Sequence, residues 1–268
     1  MSSGGRASIL LLTRYGHAGA SSRLRFSSYY ATLVCAGFQV TRTPFFSDEY
    51  LERLYRLEPY GRWRLAQDYA RRLRALFAIR SYDLIWVEKE VFPWLPAWFD
   101  NFLLGGRPVV IDYDDVWHLR YAEHPYPAIR RLLARKLESV VKRAAAVVAG
   151  NPIIAEWARD SGALRVVEIP TVVDVKRYPV QPLPHGPFTI GWIGTPITQK
   201  YLQIIAEPLR YMQARLGAKI RIIGASPDFC IPGVEIDRVR WSEDTEADEI
   251  GRCHVGVMRL AVAAWVGG

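Results

Sequence analysis

Five short stretches carry residue types that could do chemistry. The first, "YGHAGASSRLR" (Tyr15–Arg25), follows the apolar run Ile9–Leu12. Gly16 and Gly19 allow backbone N–H groups to approach a ligand closely. Ser21 or Ser22 can cap the helix that follows, and a helix N-terminus favours an anion. Arg23 and Arg25 fall near that end, although successive helical positions diverge and both need not face one ligand. The stretch reads as a phosphate or carboxylate site, or equally as an ordinary strand–turn–helix with surface arginines. It lacks the dinucleotide pattern G-x-G-x-x-G, and no Walker pattern occurs in the chain. The second stretch is "EKEVFP" (Glu88–Pro93). Glu88 and Glu90 point to opposite sides if the strand continues. One could hydrogen-bond a sugar hydroxyl, or both could pair with Lys89 and nearby arginines.

The third stretch, "IDYDDVWH" (Ile111–His118), places three acids and a histidine after a buried strand. Clustered carboxylates raise one another's pKa, and histidine titrates near neutrality. Asp115 and His118 are the candidates for general base or hydroxyl binding, while one or two of the acids could simply cap the next turn. A metal site has weak support, because no second ligand cluster accompanies them. In the fourth, "VVAGNPIIAEWA", Gly150 and Asn151 suit a turn and Pro152 suits a first helical turn. The fifth is "IGWIGTPITQKYL" (Ile190–Leu202). There Gly194 gives close approach, Thr195 or Thr198 can cap a helix, and Lys200 adds a point charge. That combination fits a diphosphate cradle.

These stretches need elements to position them. Apolar runs predict strands over Ser8–Thr13, Gln39–Thr43, Leu84–Glu88, Val109–Asp112, Ala146–Ala149 and Val166–Ile169. Helical patterns lie between them at Ser22–Ala36, Trp63–Ile79, Ala128–Ala144 and Pro152–Ser161. The alternation predicts an α/β fold with a parallel sheet, which binds ligands beyond the carboxyl ends of its strands. "YPVQPLPHGP" (Tyr178–Pro187) interrupts the rhythm with four prolines and a glycine. The alternation then resumes with strands at Phe188–Ile193, Lys219–Ile223 and Val255–Met258 and a helix at Tyr201–Leu216. A boundary near residue 183 is expected, giving domains 1–182 and 183–268.

Composition bounds the function classes. With 268 residues, half of them apolar and 23% charged, the chain can bury a sizeable core and is not of disordered type. A net charge of +8 favours anionic partners. The three cysteines, Cys35, Cys230 and Cys253, are far apart and indicate neither a zinc site nor a disulfide framework. With no apolar stretch long enough for a signal peptide or a membrane span, a cytoplasmic location is the expectation. Two helical regions are strongly basic: Arg62–Arg80 has six arginines against one aspartate, and Arg120–Arg143 seven lysines and arginines against two glutamates. A basic amphipathic helix can rest on the inner face of a membrane, which makes peripheral membrane contact one expectation and a solvated basic face the other. Charge is the only feature pointing to nucleic acid, and no nucleic-acid partner is expected.

Taken in order, "YGHAGASSRLR", "IDYDDVWH", "VVAGNPIIAEWA", "VEIPTVVDVKRYP" and "IGWIGTPITQKYL" resemble the GT-B glycosyltransferases of the large retaining family 4, the cell-wall-biosynthesis or "group 1" type. The resemblance runs from about Ile9 to Met258, and Pro170 and Asp174 hold the places where that family closes its first domain. It implies two Rossmann-like domains, the second binding a nucleotide-diphosphate sugar and the first a glycan or lipid-linked acceptor. Transfer to the acceptor hydroxyl would occur in the cleft between them, with no metal and no cofactor. By position, Gly16, Ser21, Ser22, Arg23, Arg25, Glu90, Asn151, Asp115 and His118 would face the acceptor and cleft. Gly194, Thr195 and Lys200 would face the donor diphosphate. The family's glutamate pair E-x7-E and its closing helices have no counterpart, and Leu260–Gly268 resembles nothing in the family. An incomplete second domain, a frameshift or truncation near Met258–Arg259 and impaired activity are therefore expected. The rival readings are a non-catalytic binding protein that keeps the acceptor domain, and a nucleotide-cofactor oxidoreductase, which would lack its glycine fingerprint.

Overall fold

The computed structural model describes residues 6–258. The stretch Leu260–Gly268, on which the frameshift expectation falls, lies outside the described residues. The described chain divides into two compact units: residues 6–52 with 59–173, and residues 53–58 with 174–258.

The first unit is built on six parallel strands: β1 (Ser8–Thr13), β2 (Gln39–Pro44), β3 (Leu84–Glu88), β4 (Val109–Tyr113), β5 (Ala146–Ala149) and β6 (Val166–Glu168). They run in the order β2-β1-β3-β4-β5-β6. β1 is an unbroken apolar run because it sits inside the sheet with both faces covered. β2 is an edge strand, so it alternates in burial and tolerates Pro44 at its end. The chain steps outward from β1 to β2, then returns past β1 and continues through β6. The reversal leaves a topological switch point between β1 and β3, where open α/β sheets receive ligands. The main core fills one face, with Leu10, Leu12, Ile85, Val87, Ile111 and Val147 beneath the crossover helices.

The second unit carries β7 (Thr189–Ile193), β8 (Lys219–Ile223), β9 (Ile236–Val239) and β10 (Val255–Gly256), all parallel and ordered β10-β7-β8-β9. Its core is smaller, centred on Ile190, Trp192, Leu202, Leu209, Ile220 and Ile222. Residues 178–188 form neither helix nor strand.

Strand positions match the sequence reading within a residue or two, with one omission. β9 was not expected, because Ile236–Val239 is an edge strand carrying Asp237 and Arg238 and shows no apolar run. Three expected helices are interrupted. Ser22–Ala36 contains a π-helical turn at Arg23–Ser27, within which Arg23, Arg25 and Phe26 are all buried. The two arginines still diverge, Arg23 toward the His17 carbonyl and Arg25 toward Asp112. Ala128–Ala144 splits into Pro127–Leu133 and Lys136–Val141, and Lys136 turns inward just after the break. Tyr201–Leu216 begins as a tight 3-10 turn, Gln199–Ile205, before the α-helix Ala206–Leu216. The helices Asp48–Tyr55 and Ala97–Leu103 are additional.

Candidate functional site

In the first unit the chemistry-bearing loops converge at the carboxyl ends of β1, β3, β4 and β5. Glu88, the last residue of β3 and 1% exposed, ties the opening loop to the sheet. Its carboxylate accepts from the Arg14 N–H (2.8 Å), Ser21 Oγ (2.7 Å) and Ser22 Oγ (2.6 Å). Ser22 also accepts from the Tyr15 N–H at 3.0 Å. Both serines therefore serve Glu88, and neither caps the helix they begin. Gly16 is needed for a close approach of a different kind: a Cβ there would meet Asp48 Oδ1 at 2.3 Å. The Asp48 carboxylate accepts from the Ala18 N–H at 3.0 Å, so it fills the concavity of the loop.

The arginines are interior groups. Arg25 holds the Asp112 carboxylate through Nε and through Nη2 (3.2 Å). Its Nη1 reaches the carbonyl of Ile169 (2.9 Å) and Thr171 Oγ1 (3.1 Å), which binds β4 and β6 to the first helix. Burial pushes the Asp112 carboxyl up, to about 7, against the pull of Arg25. Arg23 is 7% exposed, with Nη1 3.5 Å from the His17 carbonyl.

Glu90 sits in a second buried cluster. Oε1 accepts from Arg14 Nη1 and Trp117 Nε1, each at 3.2 Å, and Oε2 from Tyr121 Oη (2.7 Å) and Lys136 Nζ (2.8 Å). Burial opposes its charge, but Lys136 and Arg14 outweigh it and hold the carboxyl below its usual range. Lys136 also lies 3.4 Å from Asp100 Oδ2. One ammonium cannot neutralise two buried carboxylates equally, and the more distant Asp100 is pushed up to about 7, chiefly by burial.

A polar rim lies above these clusters. Lys89, between the two glutamates, has a left-handed backbone (φ 64°) and is 4% exposed. Its ammonium meets Asp114 at 2.9 Å and Asp115 at 3.6 Å. A lysine held in that backbone region is strained, and such strain collects at functional sites. Trp117 sits among three cations, Arg14 (4.5 Å), Lys89 (4.7 Å) and Arg120 (4.7 Å) from its ring. The Asp115 side chain remains 51% exposed, with its pKa raised first by burial and then by neighbouring Asp114, against Lys89. His118 stacks on Trp157 at 4.3 Å with the rings nearly parallel, and burial lowers its pKa. At neutral pH it is an uncharged imidazole, and its Nδ1 is buried without a hydrogen-bond partner. Gly150 packs against the β4 loop, where a Cβ would meet Asp114 Cα at 3.0 Å. Asn151 caps its helix, Oδ1 accepting from the Ile154 N–H at 2.9 Å.

The structure thus gathers Ser21, Ser22, Arg25 and Glu90 into buried hydrogen-bonded clusters and leaves Asp115 and His118 partly open above them. Sequence reading missed Arg14, Trp117, Lys136 and Asp100, and it offered Lys89 to the flanking glutamates, whereas the structure pairs it with Asp114 and Asp115. The available signal was Trp117, whose neighbour Arg120 lies one turn on; Arg14, Lys136 and Asp100 carry no local motif, and only long-range pairing gives them a role.

In the second unit the loops after β7 and β8 touch. A Cβ on Gly224 (φ 85°) would meet the Gly194 carbonyl oxygen at 2.3 Å, and one on Gly194 would meet the Trp192 ring at 2.4 Å. Thr198 Oγ1 accepts from the Thr195 N–H at 3.0 Å, so the two threonines shape the loop between them. Gln199 fixes the next loop by accepting from the Ser226 N–H at 2.7 Å. Lys200 is exposed, its ammonium 5.3 Å from the Tyr201 ring centre. Among the described residues, no three His, Cys, Asp or Glu side chains are grouped to hold a metal ion.

No family model matches the chain, and no curated protein matches it. Solved structures do. A sucrose-phosphate synthase from Thermosynechococcus elongatus matches with a TM-score of 0.61 at 12% identity, covering 94% of this chain and 75% of that one. A glycosyltransferase from Rickettsia africae gives 0.61 at 11% identity, covering 94% and 72%. An alpha-glucosyltransferase in complex with UDP-glucose and DNA gives 0.51 at 16% identity, again covering 94% and 72%. At these identities the common property is the fold, and this chain has the α/β, parallel-sheet architecture of the GT-B glycosyltransferases.

Proposed function

We propose that this protein is a glycosyltransferase of the retaining, family-4 type. It moves a sugar from a nucleotide-diphosphate sugar to the hydroxyl of a glycan or lipid-linked acceptor. The observation that carries the reading is the likeness of 94% of the chain to glycosyltransferases, one of them in complex with UDP-glucose. The loops after β7 and β8 are the donor side. Gly194 and Gly224 let the two loops pack against each other and against the Trp192 ring, Thr195 and Thr198 hold the loop's shape, and Lys200 offers charge to the diphosphate. The loops after β1, β3 and β4 are the acceptor side. Asp115, half-open and with a raised pKa, and the neutral His118 hold the acceptor hydroxyl. The buried clusters of Glu88, Glu90 and Asp112 keep those loops still. Reaction in such a site depends on positioning both substrates and on stabilising the departing diphosphate, with no separate covalent carrier.

Titrating the purified chain with UDP, GDP and their sugar conjugates in a calorimeter tests the reading. Binding of one nucleoside diphosphate is expected, weakened about tenfold in K200A through loss of one charge-assisted contact. Binding to none of them would overturn it. Binding of glycans or lipid-linked sugars alone would indicate a non-catalytic protein.

A further inference from the structure

The strand order carries every connection from β2 to β6 in one direction, so the crossover helices share one face of the first sheet. Their inner sides reach the same core, through Leu73 and Leu76, Phe99 and Leu103, and Leu137 and Val141. The outer sides of two of them carry aromatic rings among the polar groups. The helix Arg62–Phe77 buries Asp68, Arg72 and Leu76, spaced four apart. At 3.6 residues per turn, the opposite side is then Trp63, Ala70, Arg74 and Phe77. Trp63 and Phe77 are each 76% exposed.

The next helix along the sheet repeats the arrangement. Ala97–Leu103 buries Asp100 completely and turns Trp98 and Phe102 outward, 69% and 77% exposed. These two rings line an open groove with Lys142 and Arg143. The charge around the four rings is mainly basic, with Glu49 and Glu138 partly exposed nearby and Glu156 and Asp160 exposed on the last crossover helix. Arg62, Arg74, Lys142 and Arg143 are exposed, while Asp68 and Asp100 are withdrawn into the interior.

We propose that this helix layer is a docking surface for an anionic lipid bilayer. The four aromatic rings enter the headgroup region, and the four basic side chains meet the lipid phosphates. Aromatic side chains beside arginine and lysine are the combination that an interfacial helix uses. A duplex nucleic acid, whose bases are already stacked, would meet the basic groups but would leave the rings nothing apolar to enter. The inference stands on this surface alone and does not require the transferase reading.

The test is co-sedimentation of the full chain with vesicles of phosphatidylcholine, with and without phosphatidylglycerol. Binding is expected to the anionic vesicles, at least about tenfold tighter than to the neutral ones, and to fall as salt rises. The pairs W63S/F77S and W98S/F102S, and separately R62E/R74E, should each weaken it about tenfold with unchanged melting temperature. Quenching of tryptophan fluorescence by brominated lipid, reduced in W63F and W98F, keeps the test decisive if a serine variant does not fold. Equal binding to both vesicle types, binding indifferent to the aromatic pairs, or retention of these variants' effects only on duplex DNA would overturn the proposal.

Discussion

The strand ends of the two units are organised by opposite means. In the first, the carboxyl ends of β1, β3 and β4 are held by buried charge: Glu88, Lys89, Glu90, Asp112 and Lys136 are each 6% exposed or less. In the second, among the described residues, the only buried polar side chain is Thr189, and the loops after β7 and β8 meet through backbone at Gly194 and Gly224. Its ion pairs, such as Arg252–Glu249 (2.8 Å) and Arg177–Glu243 (2.9 Å), are partly solvated. A buried network makes every member necessary, because removing one strands another charge in low dielectric. A backbone contact asks only that no side chain intrude. The first design fixes particular charged groups in place, and the second packs two loops closely with few buried polar side chains.

Substitutions can break or sharpen that contrast. The largest effect is expected for E90A, which strands Lys136 and Arg14 together. Urea unfolding should show a loss of about 3–5 kcal/mol from the first unit. A loss no larger than that of a surface pair would dissolve the contrast. Next comes G224A, which places a methyl group against the Gly194 carbonyl in a left-handed backbone. Destabilisation of about 1–3 kcal/mol should be confined to the second unit's hydrogen-exchange protection.

A pH series is more selective. The Asp100 carboxyl is raised to about 7 in the folded chain, against 3.8 for an ordinary aspartate. Its neutral form is the one folding favours, so its contribution is full below about pH 4 and is lost as pH rises through about 7. The stability of the wild type relative to D100N should therefore fall across that window, as measured by urea midpoints. A flat difference would mean that Lys136 keeps Asp100 ionised. The smallest effect is expected for R252A, about 1 kcal/mol or less, since its side chain is 63% exposed.

Much of the architecture was legible. Parallel strands such as β1 and β4 are apolar runs because they are covered on both faces, and that local rule needs no partner to be known. β9 escaped it because an edge strand need not be apolar. The π-helical turn at Arg23–Ser27 escaped because helical periodicity assumes an unbroken ladder. The break near Ala134 and Arg135 escaped for the same reason, and the residue that follows it, Lys136, pairs with Glu90 and Asp100.

The sequence by itself determined the alternation of strands and helices, the loops that carry polar groups at strand ends, and the positive charge. Those are properties of composition and spacing, and spacing along a chain dictates local backbone. Only the tertiary structure decided which charges are spent. Arg25 finds Asp112, Glu90 finds Lys136 and Ser22 finds Glu88 across separations of 87, 46 and 66 residues. It also decided that Asp68 and Asp100 turn inward while Trp63 and Trp98 turn outward. Pairing of that kind depends on sheet order and burial, and the energy of a charge depends on what surrounds it in space.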